Sequence, residues 1–436
     1  MLQNITLPDA VADARARYAR RRPKTEAAHR DATRVMPGGN TRTVLYHGPF
    51  PLRVSGGEGA HLTDVDGHRY LDLLGEYTAG VFGHSHPAIR AAVTRGLDVG
   101  LNLGAHGTLE AELAAHVTAR FPAIAQVRFT NSGTEANLLA VSLSRAATGR
   151  DGILVFTGGY HGALMYFGPG GGPNVNAPFA FSIGTFNDVE GTRTLLREKG
   201  HELACVLVEP MLGSGGCIPG TPEFLSMLRE ETIAAGCHLI FDEVMTSRFG
   251  PRGAHGLYEI TPDLVTLGKW VGGGVSFGAF GGRADLMALF DPSAPTALPH
   301  AGTFNNNTLS MSAGVAALTE AFTPDDATRL HARGEKFRDG LNTVFADADV
   351  ATSVSGMGSL MNIHGVAGPV TTVADLANTD DATRELIFLD LLERGVYIAR
   401  RGFIALSMAV TDADLDRVVG ILNEIVADRR TVLPRR

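Results

Sequence analysis

The sequence predicts an α/β protein with a mostly parallel central sheet. Short, continuous apolar runs alternate with helical segments from about residue 76 to about residue 325. Such runs are typical of strands that are covered by helices on both faces of a parallel sheet. A composition with 44% hydrophobic and 19% charged residues is that of an ordinary globular protein. The 436 residues are enough for one large and one smaller core.

Both ends of the chain have patterns that differ from this central part. Residues 1 to about 35 are polar with a helical pattern, which Met36-Pro37-Gly38-Gly39-Asn40 ends. Two short alternating runs around Asp66-Gly67 predict a β-hairpin with a primed turn. Beyond about residue 325 the chain is rich in helix, and Thr411 with Asp414 predicts a capping box before an apolar helix face.

The apolar runs of the central part predict where its strands lie. They are Val127–Thr130, Ile153–Phe156, Cys205–Val208, His238–Phe241, Leu264–Leu267 and Phe277–Phe280. Ligands of parallel sheets bind outside the carboxyl ends of the strands. The residues that follow each run are therefore the candidates for a functional site.

The composition argues against several classes of protein. A formal net charge of −8 disfavours nucleic acid or an anionic membrane surface as the main partner. The exception is the basic run Arg15 to Arg34, for which a solvated helix face is the favoured interpretation. Cys205, Cys217 and Cys237 form no disulfide framework or metal motif, so we expect a reducing, cytoplasmic setting and no metal. The N-terminus shows no secretory signal, and glycines and prolines interrupt the longest uncharged segment, Gly152 to Asn187, so we expect no membrane span.

Lys269 follows the apolar run Leu264–Leu267 directly after Gly268. An ammonium group at the end of a buried strand is costly unless it is paired or neutral. Taken alone, the residue fits a lysine that extends to the surface. The alternative is a desolvated amine that acts as a nucleophile or forms a Schiff base.

Three other strand ends carry polar or aromatic groups. Ser132 and Glu135 predict a capping box at a helix start, and the same N-terminus could bind an anion. Asp242 either caps a turn or holds a proton on a heteroaromatic nitrogen. Tyr160 lies in a glycine-rich bend, where its ring either packs inside the protein or stacks on a planar ligand.

These groups together indicate one cofactor. Pyridoxal phosphate requires a lysine for a Schiff base, an acidic partner for its pyridinium nitrogen and an anchor for its phosphate. Lys269, Asp242 and the helix start at Ser132 supply these three requirements, and Tyr160 adds an aromatic ring. A coincidence at four strand ends is far less probable than at one.

Over nearly its whole length the chain resembles the class III (ω-) aminotransferases, which are pyridoxal-phosphate enzymes of fold type I. The motifs that carry the resemblance are Asn131-Ser132-Gly133-Thr134-Glu135-Ala136, Tyr160-His161-Gly162, Val208-Glu209-Pro210, Asp242-Glu243-Val244, Gly268-Lys269 and Gly302-Thr303-Phe304. Within the class it is most similar to the β-amino acid (β-phenylalanine) transaminases of the glutamate-1-semialdehyde aminomutase-like branch. The narrower similarity lies in the stretches Asn40 to Leu45, Asp242 to Arg248 and Arg401 to Phe403. The resemblance implies a large cofactor-binding domain at 76–325 and a smaller α+β domain built from 1–75 and 326–436.

The resemblance also implies a role for each residue of the site. Lys269 would form the Schiff base and shuttle the proton between substrate and cofactor, and Asp242 would pair with the pyridine nitrogen. Tyr160 would stack on the ring, and Val244 would pack on its other face. Thr303 would reach the phosphate of a neighbouring subunit, which implies a homodimer with shared sites. The remaining cofactor-binding residues would be Ser132, Gly133 and Thr134, at the phosphate, and Glu209.

Arg42 and Arg401 are the candidates for substrate specificity. A lone arginine is usually a solvated side chain, but a guanidinium group suits the carboxylates of the substrates that this family uses. The resemblance would place Arg42 on the carboxylate of a β-amino acid and Arg401 on that of the amino acceptor, or the reverse. Such an enzyme would pass the amino group to a 2-keto acid such as 2-oxoglutarate or pyruvate. The alternative is a glutamate-1-semialdehyde 2,1-aminomutase. It is disfavoured because an acidic residue lies close to this C-terminal position in the aminomutases, whereas this chain reads Arg400-Arg401-Gly402-Phe403.

Other classes of protein fit the sequence less well. Gly274-Val275-Ser276-Phe277-Gly278 matches the G-x-S-x-G motif of serine hydrolases, but a glycine run precedes Ser276 and an apolar run follows it. No intact dinucleotide-binding or P-loop motif is present. A non-catalytic binding protein on this scaffold would be expected to lack Lys269 or Asp242, and both are present.

Overall fold

The computed structural model describes residues 6–168 and 175–436. The strands are β1 Val54–Glu58, β2 His61–Asp64, β3 Arg69–Asp72, β4 Gln126–Thr130, β5 Gly152–Phe156, β6 Ala180–Gly184, β7 Leu203–Val208, β8 Met211–Leu212, β9 Ile218–Pro219, β10 His238–Asp242, β11 Leu264–Gly268, β12 Gly278–Gly282, β13 Ser353–Met357, β14 Leu360–His364, β15 Val396–Tyr397 and β16 Phe403–Ala405. The helices are α1 Leu7–Arg21, α2 Pro23–Ala32, α3 Pro87–Val99, α4 Thr108–Arg120, α5 Gly133–Thr148, α6 Val189–Lys199, α7 Pro222–Ala235, α8 Gly253–Leu257, α9 Ala284–Met287, α10 Thr308–Ala316, α11 Pro324–Asp347, α12 Asp381–Glu393 and α13 Asp412–Asp428.

The central sheet has the order β4-β12-β11-β10-β7-β5-β6. Strands β11, β10, β7, β5 and β6 run parallel, whereas β12 is antiparallel to both of its neighbours. All six predicted strands are present within one or two residues of their predicted bounds. The predicted α/β class with a mostly parallel sheet is therefore confirmed.

Strand β6, Ala180–Gly184, was not predicted from the sequence. It follows a stretch rich in glycine, proline and asparagine, of which residues 169–174 lie outside the described part of the chain. The strand pairs only with β5 at the edge of the sheet, and most of its residues are partly or largely exposed. An edge strand of this kind lacks the continuous apolar run that marks a buried strand.

The predicted hairpin around Asp66-Gly67 is formed by β2 and β3, but the primed turn was wrong. Four residues, 65–68, connect the strands, and within them only Gly67 has a positive φ, of +97°. The Asp64 carboxylate closes this loop by accepting the backbone N–H groups of Asp66 and His68 over 3.0 and 2.8 Å. This side chain replaces the two-residue turn that an Asp-Gly pair usually indicates.

Strands from both ends of the chain share one small sheet, in which β15 lies parallel to β3 in the order β1-β2-β3-β15. A second small sheet contains β13, β14 and β16. Thr411 and Asp414 form the predicted capping box of α13. The division of the chain near residues 75 and 325 stays a prediction.

Most basic residues of the run from Arg15 to Arg34 are exposed, as predicted, but Arg22 is an exception. Arg22 is buried, lies 3.7 Å from the Asp64 carboxylate and donates to Glu393 of α12 over 2.7 Å. Arg15 donates to Glu385 of the same helix over 2.5 Å. The prediction was therefore wrong only for Arg22, because α12, more than 350 positions further along the chain, supplies the carboxylate that a buried guanidinium group needs.

The length and hydrophobicity of the helices in the described residues show whether any of them could span a membrane. None of them is long and apolar enough to cross a lipid bilayer.

Candidate active site

The candidate site lies at the carboxyl edge of the central sheet. Asp242 is the last residue of β10, Lys269 directly follows β11, and Glu209 directly follows β7. Strands β7, β10 and β11 are neighbours that run parallel, with Asp242 opposite Thr266. The carboxyl ends of adjacent parallel strands meet at one edge, so the sheet order brings these side chains together.

Lys269 is a partly buried residue at a strained backbone position. Its φ is +56°, which is uncommon for a residue with a side chain. Burial lowers the pKa of its amine to about 8, although the carboxylates of Asp242 and Glu209 oppose this change. Its amine therefore loses its proton at a lower pH than an ordinary lysine amine does, and the neutral amine is the form that a nucleophile requires.

Asp242 is buried and surrounded by donors. Its Oδ2 accepts the Asn137 amide and lies beside His161 Nδ1, both at 2.8 Å. Its Oδ1 accepts the backbone N–H of Val244 over 3.0 Å and the Thr266 hydroxyl over 3.3 Å. These contacts fix the orientation of the carboxylate before any ligand arrives.

Helix α5 begins beside Lys269. Ser132 is its N-cap and accepts the backbone N–H of Glu135 over 3.2 Å, but the Glu135 carboxylate accepts from the backbone of Asn131, so the predicted capping box is only half formed. The first N–H groups of a helix have no partner within it and attract anions. A methyl group at Gly133 would lie 2.8 Å from Val244 Cγ2, so only glycine allows the helix to approach Val244 this closely.

Thr134 and Tyr160 are joined by the bend after β5. The Thr134 hydroxyl accepts the backbone N–H of Ala163 over 3.3 Å, and a methyl group at Gly162 would lie only 2.3 Å from that hydroxyl. The Tyr160 ring is 43% exposed and meets the Tyr166 ring edge to face at 5.8 Å. The bend thus brings an aromatic ring to the start of α5 and leaves part of that ring accessible.

Glu209 connects this bend to the next loop. Its carboxylate accepts the backbone N–H of Tyr160 over 2.9 Å and that of Gly213 over 3.0 Å. Burial raises the pKa of the Glu209 carboxyl to about 7; His161 opposes the rise and the Asp242 charge adds to it. Because its carboxylate binds the backbone of both loops, Glu209 positions the bend at Tyr160 relative to the loop at Gly213.

Arg42 and Arg401 lie on the same aromatic ring. Both guanidinium carbons are 5.5 Å from the centre of Tyr77, within the range of cation–π attraction. Arg401 also donates to the backbone carbonyl and the hydroxyl of Ser214, each over 3.0 Å. Both charges lower the pKa of the Lys269 amine, so they lie within electrostatic range of it.

Two predicted residues, Thr303 and Ser276, contact a loop and the segment before α5 rather than Asp242. Thr303 is exposed, and its carbonyl accepts the Asn102 amide over 2.8 Å. Ser276 donates to the carbonyl of Asn131 over 2.8 Å and leads into strand β12, not into a helix. The strand–turn–helix of a hydrolase nucleophile is therefore missing at Ser276.

Several residues at the site were not predicted from the sequence. Asn137 and Thr266 lie within a helix and a strand, and His161 was noted only as part of a motif. Ser214 and Tyr77 lie in loops with no distinctive pattern. Only the glycines that flank Ser214, at 213, 215 and 216, could have indicated that the chain passes close to another segment there.

The comparisons with known proteins agree with this geometry. A family profile described as "Aminotransferase class-III" matches residues 45–170 and 175–426. The chain is 49% identical over 434 residues to a β-phenylalanine transaminase of Variovorax paradoxus, covering all of both chains. It is 37% identical over 425 residues to a glutamate-1-semialdehyde 2,1-aminomutase of Desulfosudis oleivorans, covering 93% of this chain and 99% of the relative.

A solved structure extends the likeness to three dimensions. The crystal structure of a β-phenylalanine aminotransferase from Variovorax paradoxus matches with a TM-score of 0.97 and 49% identity, covering 99% of this chain and all of the other. The predicted fold type I is thereby confirmed. The chain therefore belongs to the class III aminotransferases, the family of pyridoxal-phosphate-dependent enzymes that its motifs predicted.

Proposed function

We propose that this enzyme moves the amino group of a β-amino acid, with an aromatic side chain as in β-phenylalanine, to a 2-keto acid such as 2-oxoglutarate or pyruvate. The observation that carries the proposal is the pair Arg42 and Arg401, two guanidinium groups on the one ring of Tyr77 and within electrostatic range of the Lys269 amine. The full-length similarity to a β-phenylalanine transaminase supports it. The more distant aminomutases are the alternative.

The donor set fits pyridoxal phosphate. Lys269 supplies an amine whose pKa is lowered to about 8 by burial, and Asp242 supplies a buried, oriented carboxylate. The start of α5 at Ser132, Gly133 and Thr134 supplies hydroxyl and backbone N–H groups of the kind that bind phosphate. The bound cofactor supplies an electron sink that acidifies the C–H bond beside the donor's amine.

The residues of the chain have separate roles in this reaction. Lys269 holds the cofactor, accepts the proton from the carbon that bears the amine and returns it, as a general base and acid. Asp242 would pair with the cofactor's ring nitrogen and favour the protonated form of that nitrogen. Tyr160 and Val244 would hold the cofactor's ring, and Glu209 fixes the loop on which Tyr160 lies.

Arg42 binds the carboxylate of the β-amino acid, and Arg401 binds that of the keto acid. A guanidinium group offers two parallel donors to a carboxylate, which sets the orientation of the substrate as well as its affinity. Arg401 is already oriented by Ser214 and carries no carboxylate partner among the described residues. This arrangement suits an external acid and disfavours the aminomutase alternative.

The first experiment replaces the amine. Lys269→Ala is expected to abolish turnover and the absorption of the cofactor–lysine linkage, while Lys336→Ala, an exposed lysine on α11, leaves both unchanged. Turnover retained in Lys269→Ala would refute the role of this lysine.

The second experiment tests the substrates. β-Phenylalanine, β-alanine, simple amines and glutamate semialdehyde are offered as donors with one acceptor. We expect the aromatic β-amino acid to be preferred, and Arg42→Ala to raise KM for β-amino acids more than for simple amines. Isomerisation of glutamate semialdehyde without an external acceptor would instead support the aminomutase.

We further propose that the active enzyme is a homodimer, in which Thr303 would contact the phosphate bound by the partner subunit. In support, Thr303 lies beside an exposed apolar patch formed by Leu97, Val99, Leu101, Leu103 and Phe304. Exposed patches of this kind mark protein interfaces. Sedimentation should give a dimer for the wild type and a monomer for Phe304→Asp; a monomeric, fully active wild type would refute this part of the proposal.

The cytoplasm is the proposed location, because the three cysteines are buried and free, as in a reducing compartment. Cell fractionation tests it directly.

A further inference from the structure

A short left-handed turn carries Tyr77, the ring that Arg42 and Arg401 share. Gly75, Glu76, Tyr77 and Thr78 have φ values of +54°, +53°, +53° and +83°. Glycine adopts such angles freely, but each of the three residues after it pays a steric penalty. Three consecutive strained residues persist only where the surrounding structure holds them.

His84 holds this turn from outside. Its Nε2 lies 2.8 Å from Asp72 Oδ2, just before the turn, and its Nδ1 lies 3.1 Å from Glu76 Oε1, within it. A neutral imidazole has only one N–H group, so both contacts are hydrogen bonds only when the ring is protonated. His84 in its charged form therefore joins the residue that precedes the turn to the strained residue next to Tyr77.

The rest of the surroundings fix His84 itself. Its backbone N–H donates to the Gly59 carbonyl over 2.7 Å and its carbonyl accepts from Gly59 over 3.0 Å. A methyl group at Gly57 would lie 2.7 Å from the imidazole, so β1 packs directly on the ring. The other oxygen of Asp72 accepts the backbone N–H groups of Leu74 and Gly75 at 2.8 and 3.2 Å.

The left-handed turn also fixes the position of Tyr77. The Tyr77 hydroxyl donates over 3.1 Å to the carbonyl of Val44, which lies two residues after Arg42 in the chain. Its ring stacks on Phe403 at 5.4 Å with an interplanar angle of 21°. The ring therefore touches the segment that follows each arginine, and a shift of the turn would move the surface on which both guanidinium groups rest.

We infer that His84 is a positioning residue for substrate carboxylates: by joining Asp72 to Glu76 it holds the left-handed turn that presents Tyr77 to Arg42 and Arg401. This inference rests on the proposed function. His84 contacts neither arginine, so its effect reaches the substrate only through the turn and Tyr77.

The charges around His84 are consistent with its protonated form. The hydrogen bonds to Asp72 and Glu76 raise the pKa of His84 to about 9, although burial opposes the rise. His86 and Arg90 line the cavity beside it. At neutral pH the ring is charged, and both contacts are present.

The test compares the cofactor-loaded wild type with His84→Gln, whose amide cannot supply the charge. KM for β-phenylalanine and the dissociation constant of 3-phenylpropanoate, which has the carboxylate but no amine, are each expected to rise about tenfold. We expect kcat to stay within about twofold, because no group that contacts the reacting atoms has changed. Calorimetric binding of 3-phenylpropanoate does not depend on turnover, so it tests His84 even if β-amino acids prove not to be substrates.

A matched control removes another histidine–aspartate contact. His68 Nδ1 lies 2.9 Å from Asp64 Oδ2 and has no contact with the turn, so His68→Gln should leave both constants unchanged. Glu76→Gln keeps an acceptor but removes the negative charge from one of the two contacts of His84. Because Glu76 is half-exposed, both constants should rise only about threefold, and the test stays possible if His84→Gln does not fold. Unchanged constants in His84→Gln or Glu76→Gln, or a loss of kcat with KM unchanged, would overturn the inference.

Discussion

Asn137→Ala is the most direct probe of the Asp242 network. Asn137 is buried, donates to Asp242 Oδ2 over 2.8 Å and accepts the Thr266 hydroxyl over 2.7 Å. A hydrogen bond to a charged group contributes about 1.5–3 kcal/mol. If the anionic carboxylate acts mainly in the transition state, a loss of about 2 kcal/mol lowers kcat/KM about 30-fold.

The assay measures kcat/KM for β-phenylalanine at saturating 2-oxoglutarate, together with the thermal midpoint of the loaded enzyme. The matched control is Asn342→Ala, because Asn342 also bridges two elements, exchanging two hydrogen bonds of 2.9 Å with the backbone of Val354. We expect Asn342→Ala to lose stability but to keep its kcat/KM.

A different result would refute the reasoning. If Asn137→Ala keeps kcat/KM within about threefold of the wild type while its midpoint falls as in Asn342→Ala, then Asn137 only packs, and the orientation of Asp242 does not depend on it.

Three further predictions concern the cofactor cradle, the amine and the N-terminal ion pairs. Gly133→Ala places a methyl group 2.8 Å from Val244, so titration of the apoprotein with pyridoxal phosphate should show about tenfold weaker binding. Adding Val244→Ala should recover part of the lost affinity, whereas additive losses in the double variant would contradict the clash. Because burial lowers the pKa of Lys269 to about 8, the rate at which apoprotein binds pyridoxal phosphate covalently should rise with pH through about 8, and a flat rate from pH 6 to 9 would contradict a titrating amine. Arg22→Met leaves Glu393 without a buried partner, so the free energy of unfolding in urea should fall by about 3 kcal/mol while kcat stays unchanged. A change below about 1 kcal/mol would show that the ion pair contributes little to stability.

Much of the site was predictable because its signals are local. Lys269 and Asp242 each end an apolar run, and Ser132 to Thr134 open a helix directly after another such run. Each signal needs only the rule that ligands gather at the carboxyl ends of parallel strands. The structure places these groups at one edge of the sheet, which follows from that rule.

The residues that were missed have partners far away in the chain. Asn137 meets Asp242 across 105 positions, and Arg22 meets Glu393 across 371. No local pattern distinguishes a helix asparagine that orients a carboxylate from one that caps a turn. The antiparallel direction of β12 was also undetermined, because an apolar run has no direction.

By itself, the sequence determined the fold class, the family and the groups available for chemistry, since periodicity, strand ends and motifs depend on neighbours in the chain. Only the tertiary structure decided which groups orient them: the donors around Asp242, the pairing of α1 with α12, and the strained turn that carries the Tyr77 ring beside Arg42 and Arg401. The physical reason is that hydrogen bonds and ion pairs act over about 3 Å in space, a distance that separation along the chain does not specify.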